Sequence, residues 1–266
     1  MQSVKKPWLL AAALFLVIVC VAGFSQLHQK PTQPLAAAET SPLATSTVPV
    51  ATTTTVKRPA SSGTQSFPIN PSDKIVSWDF KGAYAGNADL EAQAAADKAK
   101  LEALMGTSTY DDYDLYIGLG NDDNLLGDGA GAYKNFNRSI SIHPKKGLAY
   151  VNLAHLMDEL GAYETAADAY SAAVSVEPGM LEYHLERLKY LTRQFGADTA
   201  RIINAFADAN KQFGDTAPVI AIEASWLTAQ GHYPEAVKAW ELVKTLSPGK
   251  DMSAVDAEIA RLEAKQ

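Results

Sequence analysis

Seven residues recur in the same order at a fixed interval, and this periodicity limits the fold of the chain more than any other feature. Tyr116, Leu119, Gly120, Gly127, Ala132, Phe136 and Pro144 reappear 34 residues later as Tyr150, Leu153, Ala154, Gly161, Ala166, Tyr170 and Pro178. In a further copy, 70 residues beyond the second, Gly231, Tyr233, Ala236, Trp240 and Pro248 answer Gly161, Tyr163, Ala166, Tyr170 and Pro178. One slightly long unit fits between them. Small residues such as Gly120, Ala132, Ala154 and Ala166 let two antiparallel helices approach closely, while Tyr116, Leu119, Phe136, Tyr150, Leu153 and Tyr170 fill the space between them. Gly127, Gly161 and Gly231 suit the left-handed turn that ends a first helix, and the prolines mark where the second helix gives way. No single unit buries its apolar face alone, so at least about three must stack.

These residues, at this period, resemble the pattern of the tetratricopeptide repeat (TPR) family, a helix-turn-helix that stacks on copies of itself. The resemblance implies an all-α fold, a solenoid of about four repeats over 113–146, 147–180, 181–216 and 217–250, with capping helices at both ends. The third repeat is degenerate. Its Phe206 and Ala209 fit a shift of 36 from Tyr170 and Ala173, whereas its first helix, with Leu181, Leu185, Leu188 and Phe195, fits more than one alignment. The N-terminal capping region, 73–112, holds the aromatic-rich stretch IVSWDFKGAY and then a helix over 87–105 with Leu90, Ala94, Leu101 and Leu104 on one side. Trp78 and Phe80 are expected to cover the N-terminal end of the stack. Asp111, Asp112 and Asp114 open the first repeat helix, where carboxylates suit free backbone amides. A closing helix over 251–266 carries Val255, Ile259 and Leu262 on one face.

Upstream of the repeats, residues 8–24 form an uncharged apolar stretch opened by Trp8, closed by Phe24 and preceded by Lys5 and Lys6. Its 17 residues lie at the short end of the range that spans a bilayer, beyond the usual signal-peptide core of about 7 to 15. We read it as an uncleaved signal anchor behind a short basic cytoplasmic N-terminus, 1–7, which makes the chain a single-pass membrane protein with its repeats outside the cytoplasm. Secretion after signal cleavage is the competing reading. The single Cys, Cys20, falls in this stretch and excludes an internal disulfide. Residues 25–72, dominated by Thr, Ser, Pro and Ala, cannot bury enough surface to order themselves and read as a disordered linker. The sequence before Asp73 has five basic residues and one acidic, leaving 18 of the 23 Lys and Arg and 29 of the 30 Asp and Glu beyond it, a balance near −11. Such a surface repels phosphate backbones, so nucleic acid is not expected as a partner.

Nothing in the sequence has the pattern of a catalytic, cofactor or metal site. The five His residues are scattered, and there is no H-E-x-x-H, paired Cys, G-x-S-x-G or P-loop lysine. Gly127-Asp128-Gly129-Ala130-Gly131 looks like a phosphate loop but falls between two repeat helices, without the strand that feeds a dinucleotide turn. The run Asn121-Asp122-Asp123-Asn124 fails as a calcium loop, because Leu126 and Tyr133 stand where oxygen ligands are needed, and reads as a solvated helix end. The expected site is instead the concave groove lined by the first helices, with Asn121, Asn152, His155, Arg187 and Tyr190 facing a peptide. Some TPR domains clamp a terminal carboxylate with Lys, Asn and Arg; here Ile117 and Tyr183 stand where lysines would. The functional expectation is a noncatalytic, membrane-tethered protein-interaction scaffold, with no cofactor and a protein or peptide partner. The alternatives are a self-association element of a cell-envelope complex and an accessory subunit of an envelope enzyme or secretion machine.

Overall fold

A computed structural model describes residues 66–265. The expected basic N-terminus, membrane span and linker up to residue 65 lie outside the described residues. Among those described, no helix is long and apolar enough to cross a membrane. The regular structure is all helical: α1 (Ala88–Leu104), α2 (Asp112–Leu126), α3 (Gly129–Ile142), α4 (Leu148–Glu159), α5 (Tyr163–Val176), α6 (Leu181–Gln194), α7 (Thr199–Phe213), α8 (Ala217–Gln230), α9 (Tyr233–Thr245) and α10 (Ser253–Glu263). They stack as four hairpins, α2–α3, α4–α5, α6–α7 and α8–α9. Helix α1 packs on α2 much as α3 packs on α4, and α10 closes the other end against α9.

The small residues of the repeat occupy the close contacts. A Cβ on Gly120 would lie 2.5 Å from the Phe136 ring, and Ala132, Ala154, Ala166, Ala224 and Ala236 are fully buried. Gly127, Gly161 and Gly231 have φ of 86°, 74° and 81°, in the left-handed region expected of them. The Asp111 side chain accepts from the Tyr113 amide and caps α2.

The structure also settles the register of the third unit. Tyr150 Oη donates to the Pro144 carbonyl at 3.1 Å and His184 Nε2 to the Pro178 carbonyl at 3.0 Å, so α6 follows α4 at an interval of 34. Ala162 and Asp198, the N-caps of α5 and α7, are 36 apart, so the two extra residues enter at the end of α6 and the following turn. This register puts Leu188 and Ile202 where the other units have Gly or Ala. Both are buried, and α7 accordingly meets α6 and α8 over less surface than the second helices of other units meet their neighbours.

The segment before α1 departs from expectation. Residues 66–85 form a strap along the turn side of the first two units, and α1 takes the N-terminal end of the stack that Trp78 and Phe80 were expected to cover. Residues 66–72, assigned to the linker on composition, belong to this strap. Tyr133 Oη donates to the Phe67 carbonyl at 2.6 Å, the Asn137 side chain accepts from the Phe67 amide, and the Phe67 ring meets Tyr150 edge-on at 5.8 Å. Trp78 packs on Tyr133 at 5.1 Å, and its carbonyl accepts from the Gly129 amide at 2.9 Å. The Phe80 amide donates to the Gly127 carbonyl at 3.1 Å. A Cβ on Gly127 would sit 2.1 Å from the Phe80 carbonyl oxygen and one on Gly129 2.4 Å from that of Trp78. The glycine-rich turn is therefore where the strap's backbone passes.

Candidate protein-binding face

Three first helices lie side by side and share one polar face. Asn152 on α4 donates through Nδ2 to Asn121 Oδ1 on α2 at 3.1 Å. One turn on, His155 Nε2 lies 3.7 Å from Glu186 Oε2 on α6, with its ring against Tyr170 at 5.7 Å. A further turn on, Asp158 pairs with Arg193 of α6. Lys189 adds a 2.9 Å contact to Glu186, and together His155 and Lys189 hold the Glu186 carboxyl down to about 2. At the end of α4, crowding by protein pushes the Glu159 carboxyl above the usual range. Asn121, Glu159, Lys189 and Arg193 are exposed, and Asn152, His155, Asp158 and Glu186 are half-buried.

The structure thus places Asn121, Asn152 and His155 on one face, and Tyr190 and Arg187 away from it. Tyr190 is 2% exposed, packs on Tyr170 at 4.9 Å, and donates through Oη to the Tyr163 carbonyl at 2.8 Å. It ties α6 to the preceding turn, as Trp226 ties α8 to Gly196 by a 3.0 Å hydrogen bond. Arg187 stands at the position of Leu153, inside its own hairpin, where Nη1 meets Asp208 of α7 at 3.0 Å. The residues missed are Glu186, Lys189 and Arg193. Carrying the interval of 34 from α4 into α6 places them at Asn152, His155 and Glu159, a signal usable once that register is known.

The acidic run of α2 also needs correction. It is not a solvated end: Asp123 is 1% exposed, paired with Lys98 of α1 and accepting from Asn135 Nδ2 at 2.7 Å. Burial, with Asp97 and Asp123 nearby, raises Asp122 to about 6. An open cleft of about 790 Å³ lies among α1, α2 and α3, with Met105, Tyr116, Tyr133 and Arg138 in its walls. Its rim includes Ser66 and Asn137, next to the strap's Phe67 contact.

No family model matches the chain, and no curated protein matches it as a relative. Among solved structures, one described as "Crystal structure of MamA protein" aligns with a TM-score of 0.43 and 16% identity, over 58% of this chain and 89% of that one. The fold described above rests on the repeat geometry itself.

Proposed function

We propose that this protein is a membrane-tethered, noncatalytic scaffold of the tetratricopeptide kind, which binds a protein or peptide partner on the face shared by α2, α4 and α6. The supporting observation is the array of polar side chains that bridges three successive first helices while presenting exposed groups to solvent. Side chains held by neighbours lose less entropy when a partner arrives, and rows of amides and charges suit the backbone and side chains of an extended or helical peptide. Support for the tether and for placement outside the cytoplasm comes from the apolar stretch over 8–24 behind Lys5 and Lys6.

Photo-crosslinking in cells tests the binding face. A photoreactive residue at Asn121 or Lys189 is expected to trap a discrete partner, and one at exposed Lys238 on α9 is not. Trapping from Lys238 alone would move the interaction to the second helices, and an adduct of twice the chain's mass would identify self-association. Protease added to wall-stripped cells tests the topology: the domain should be digested without lysis. Protection until lysis would reverse the orientation, and release of intact domain without protease would favour a cleaved signal.

A further inference from the structure

We propose that the open cleft between α1 and α3 is a partner site distinct from the polar face, and that it takes an extended acidic segment of another protein. A large apolar side chain of that segment enters over Tyr116, and an Asp or Glu three residues later meets Lys134 and Arg138. The protein carries its own template for this mode one repeat further along, where the strap crosses the groove between α3 and α5 over Tyr150 of α4. The Phe67 ring lies against Tyr150 at 5.8 Å, and the Phe67 backbone is held by Tyr133 and Asn137 of α3. Three residues later the Asn70 backbone amide donates to Thr165 Oγ1 and its Nδ2 to Asp168 Oδ2 of α5, both at 2.9 Å. An extended segment is thus bound across two second helices by one aromatic anchor, backbone hydrogen bonds and one polar side chain on the far wall.

Subtracting the interval of 34 carries this groove onto the cleft. Tyr150 becomes Tyr116, Leu153 becomes Leu119 and Asp168 becomes Lys134, and all three of these line the cleft. Helix α1 replaces α3 as the near wall, since it packs on α2 much as α3 packs on α4. Met105, at the end of α1, adds a side chain that adapts to varied apolar anchors. The aromatic floor is therefore kept while the polar contact on the far wall changes sign. Asp168 accepts from Asn70, whereas Lys134 can only donate, so the matching side chain of the segment is an acceptor.

Arg138 selects a carboxylate for that acceptor. It lies one turn from Lys134 on α3, where the next unit has Ala172. Among the described residues it is the one arginine without a carboxylate partner, since Arg187, Arg193, Arg201 and Arg261 are each paired. Glu102, on the α1 wall, pairs with neither cation and leaves the cleft one positive charge in excess. Repulsion from the domain's balance near −11 is screened beyond about 10 Å at 0.1 M salt, which leaves the direct contact with two cations. Ser66 lies on the rim, but residues 25–65 contain no Phe, Tyr or Trp and a single acid, Glu39, so the chain's own upstream sequence does not supply this pair of side chains.

Fluorescence anisotropy on the full-length protein in an uncharged detergent, at about 0.1 M salt, tests this. The probe is the peptide Ser-Phe-Pro-Ile-Glu-Pro, the sequence of residues 66–71 with Glu in place of Asn70, labelled with fluorescein at its N-terminus and amidated at its C-terminus. Companion peptides carry Lys in place of Glu, or Ala in place of Phe. The Glu peptide is expected to bind, and each companion to bind at least about five-fold more weakly. Lys134→Gln or Arg138→Gln should weaken the Glu peptide by about five-fold or more, and Lys238→Gln on α9 should leave it within about two-fold. Lys134→Asp, which restores the sign of Asp168, should turn the preference toward the Lys peptide. With p-benzoylphenylalanine in place of Phe, light should join the peptide to Met105 or Tyr116. The proposal is overturned if no peptide binds, if the Lys and Glu peptides bind alike, if Lys238→Gln weakens binding as much as Lys134→Gln, or if the crosslink falls outside the cleft.

Discussion

Helix α5 has a borrowed cap, and removing it is the sharpest test of how the strap is held. Its N-cap position is Ala162, which has no side chain to meet the free amides of the first turn. Asp73 supplies that function from 91 residues away, accepting from Glu164 N at 3.2 Å, Thr165 N at 2.6 Å and Thr165 Oγ1 at 2.6 Å. Losing a cap costs about 1 kcal/mol. Thr165 is fully buried, and stranding its amide and hydroxyl adds about 1 to 3 kcal/mol. Asp73→Ala should therefore destabilise the docked strap by roughly 2 to 4 kcal/mol, and thermal unfolding should move down by roughly 6 to 12 °C if strap and repeats unfold together. Exposed Lys74 and Lys81 report strap opening directly. Tryptic cleavage after them should accelerate at least about thirty-fold for 2 kcal/mol. Asp79→Ala is the control, since Asp79 is exposed and its strap contacts run through its backbone. Equal cleavage rates and equal midpoints for the two variants would refute the borrowed cap.

Gly127→Ala should destabilise more than Gly249→Ala in urea: both have positive φ, but only at Gly127 does a new Cβ meet the strap backbone, and equal midpoints would contradict that crossing. Ala132→Leu and Ala166→Leu should each cost about 1 to 3 kcal/mol, while Ala95→Leu on the exposed side of α1 should be near neutral; three equal midpoints would mean the small residues do not set the helix spacing. Glu186, held down to about 2 by His155 and Lys189, contributes stability that is present above the ordinary Glu range near 4.5 and lost as pH falls toward 2. Glu186→Gln should accordingly lower stability at neutral pH by about 0.5 to 1 kcal/mol, a gap that closes near pH 2, and a pH-independent gap would refute its ion pairing.

The parts of the fold that could be read from sequence are those set by local packing. A hairpin whose helices touch needs Gly or Ala at the contact, and that need repeats with every unit, so Gly120 with Ala132 and Ala154 with Ala166 announce both helices and their spacing. Where the requirement lapses, so does the signal: Leu188 and Ile202 hold α6 and α7 apart, and the two extra residues at the turn shift the second helix against the first. The strap had no periodic signature, because its partners lie 41 to 98 residues away and bond mainly through backbone and single side chains. Its trace was the cluster of glycines around Asp128. Read in isolation they suggest a phosphate loop, and only a second chain segment crossing them gives Gly127 and Gly129 their reason.

Legibility of the polar face follows from the same geometry. Consecutive helix positions point about 100° apart, so an assignment one residue out of register exchanges a solvent-facing side chain for a buried one. On α2 and α4 the register is secured by Gly120 and Ala154, and Asn121, Asn152 and His155 fall on the shared face. On α6 it is not secured, and the choice of Tyr190 instead of Lys189 is one such step. Lys189 reaches Glu186 at the surface, while Tyr190 turns inward to Tyr170 and the Tyr163 carbonyl. The Arg187 choice is also one step from Glu186, and it exchanges a face carboxylate for an arginine locked to Asp208. In a solenoid of this kind the apolar pattern identifies units sooner than it identifies site residues, because a degenerate unit can keep its hydrophobic face while leaving that face's angular position open. What restores the angle is a single contact type repeated in two successive units. Here it is the hydrogen bond from Tyr150 and His184 to a carbonyl six residues upstream, at Pro144 and Pro178. With that contact in hand, Glu186, Lys189 and Arg193 follow from Asn152, His155 and Glu159 by adding 34.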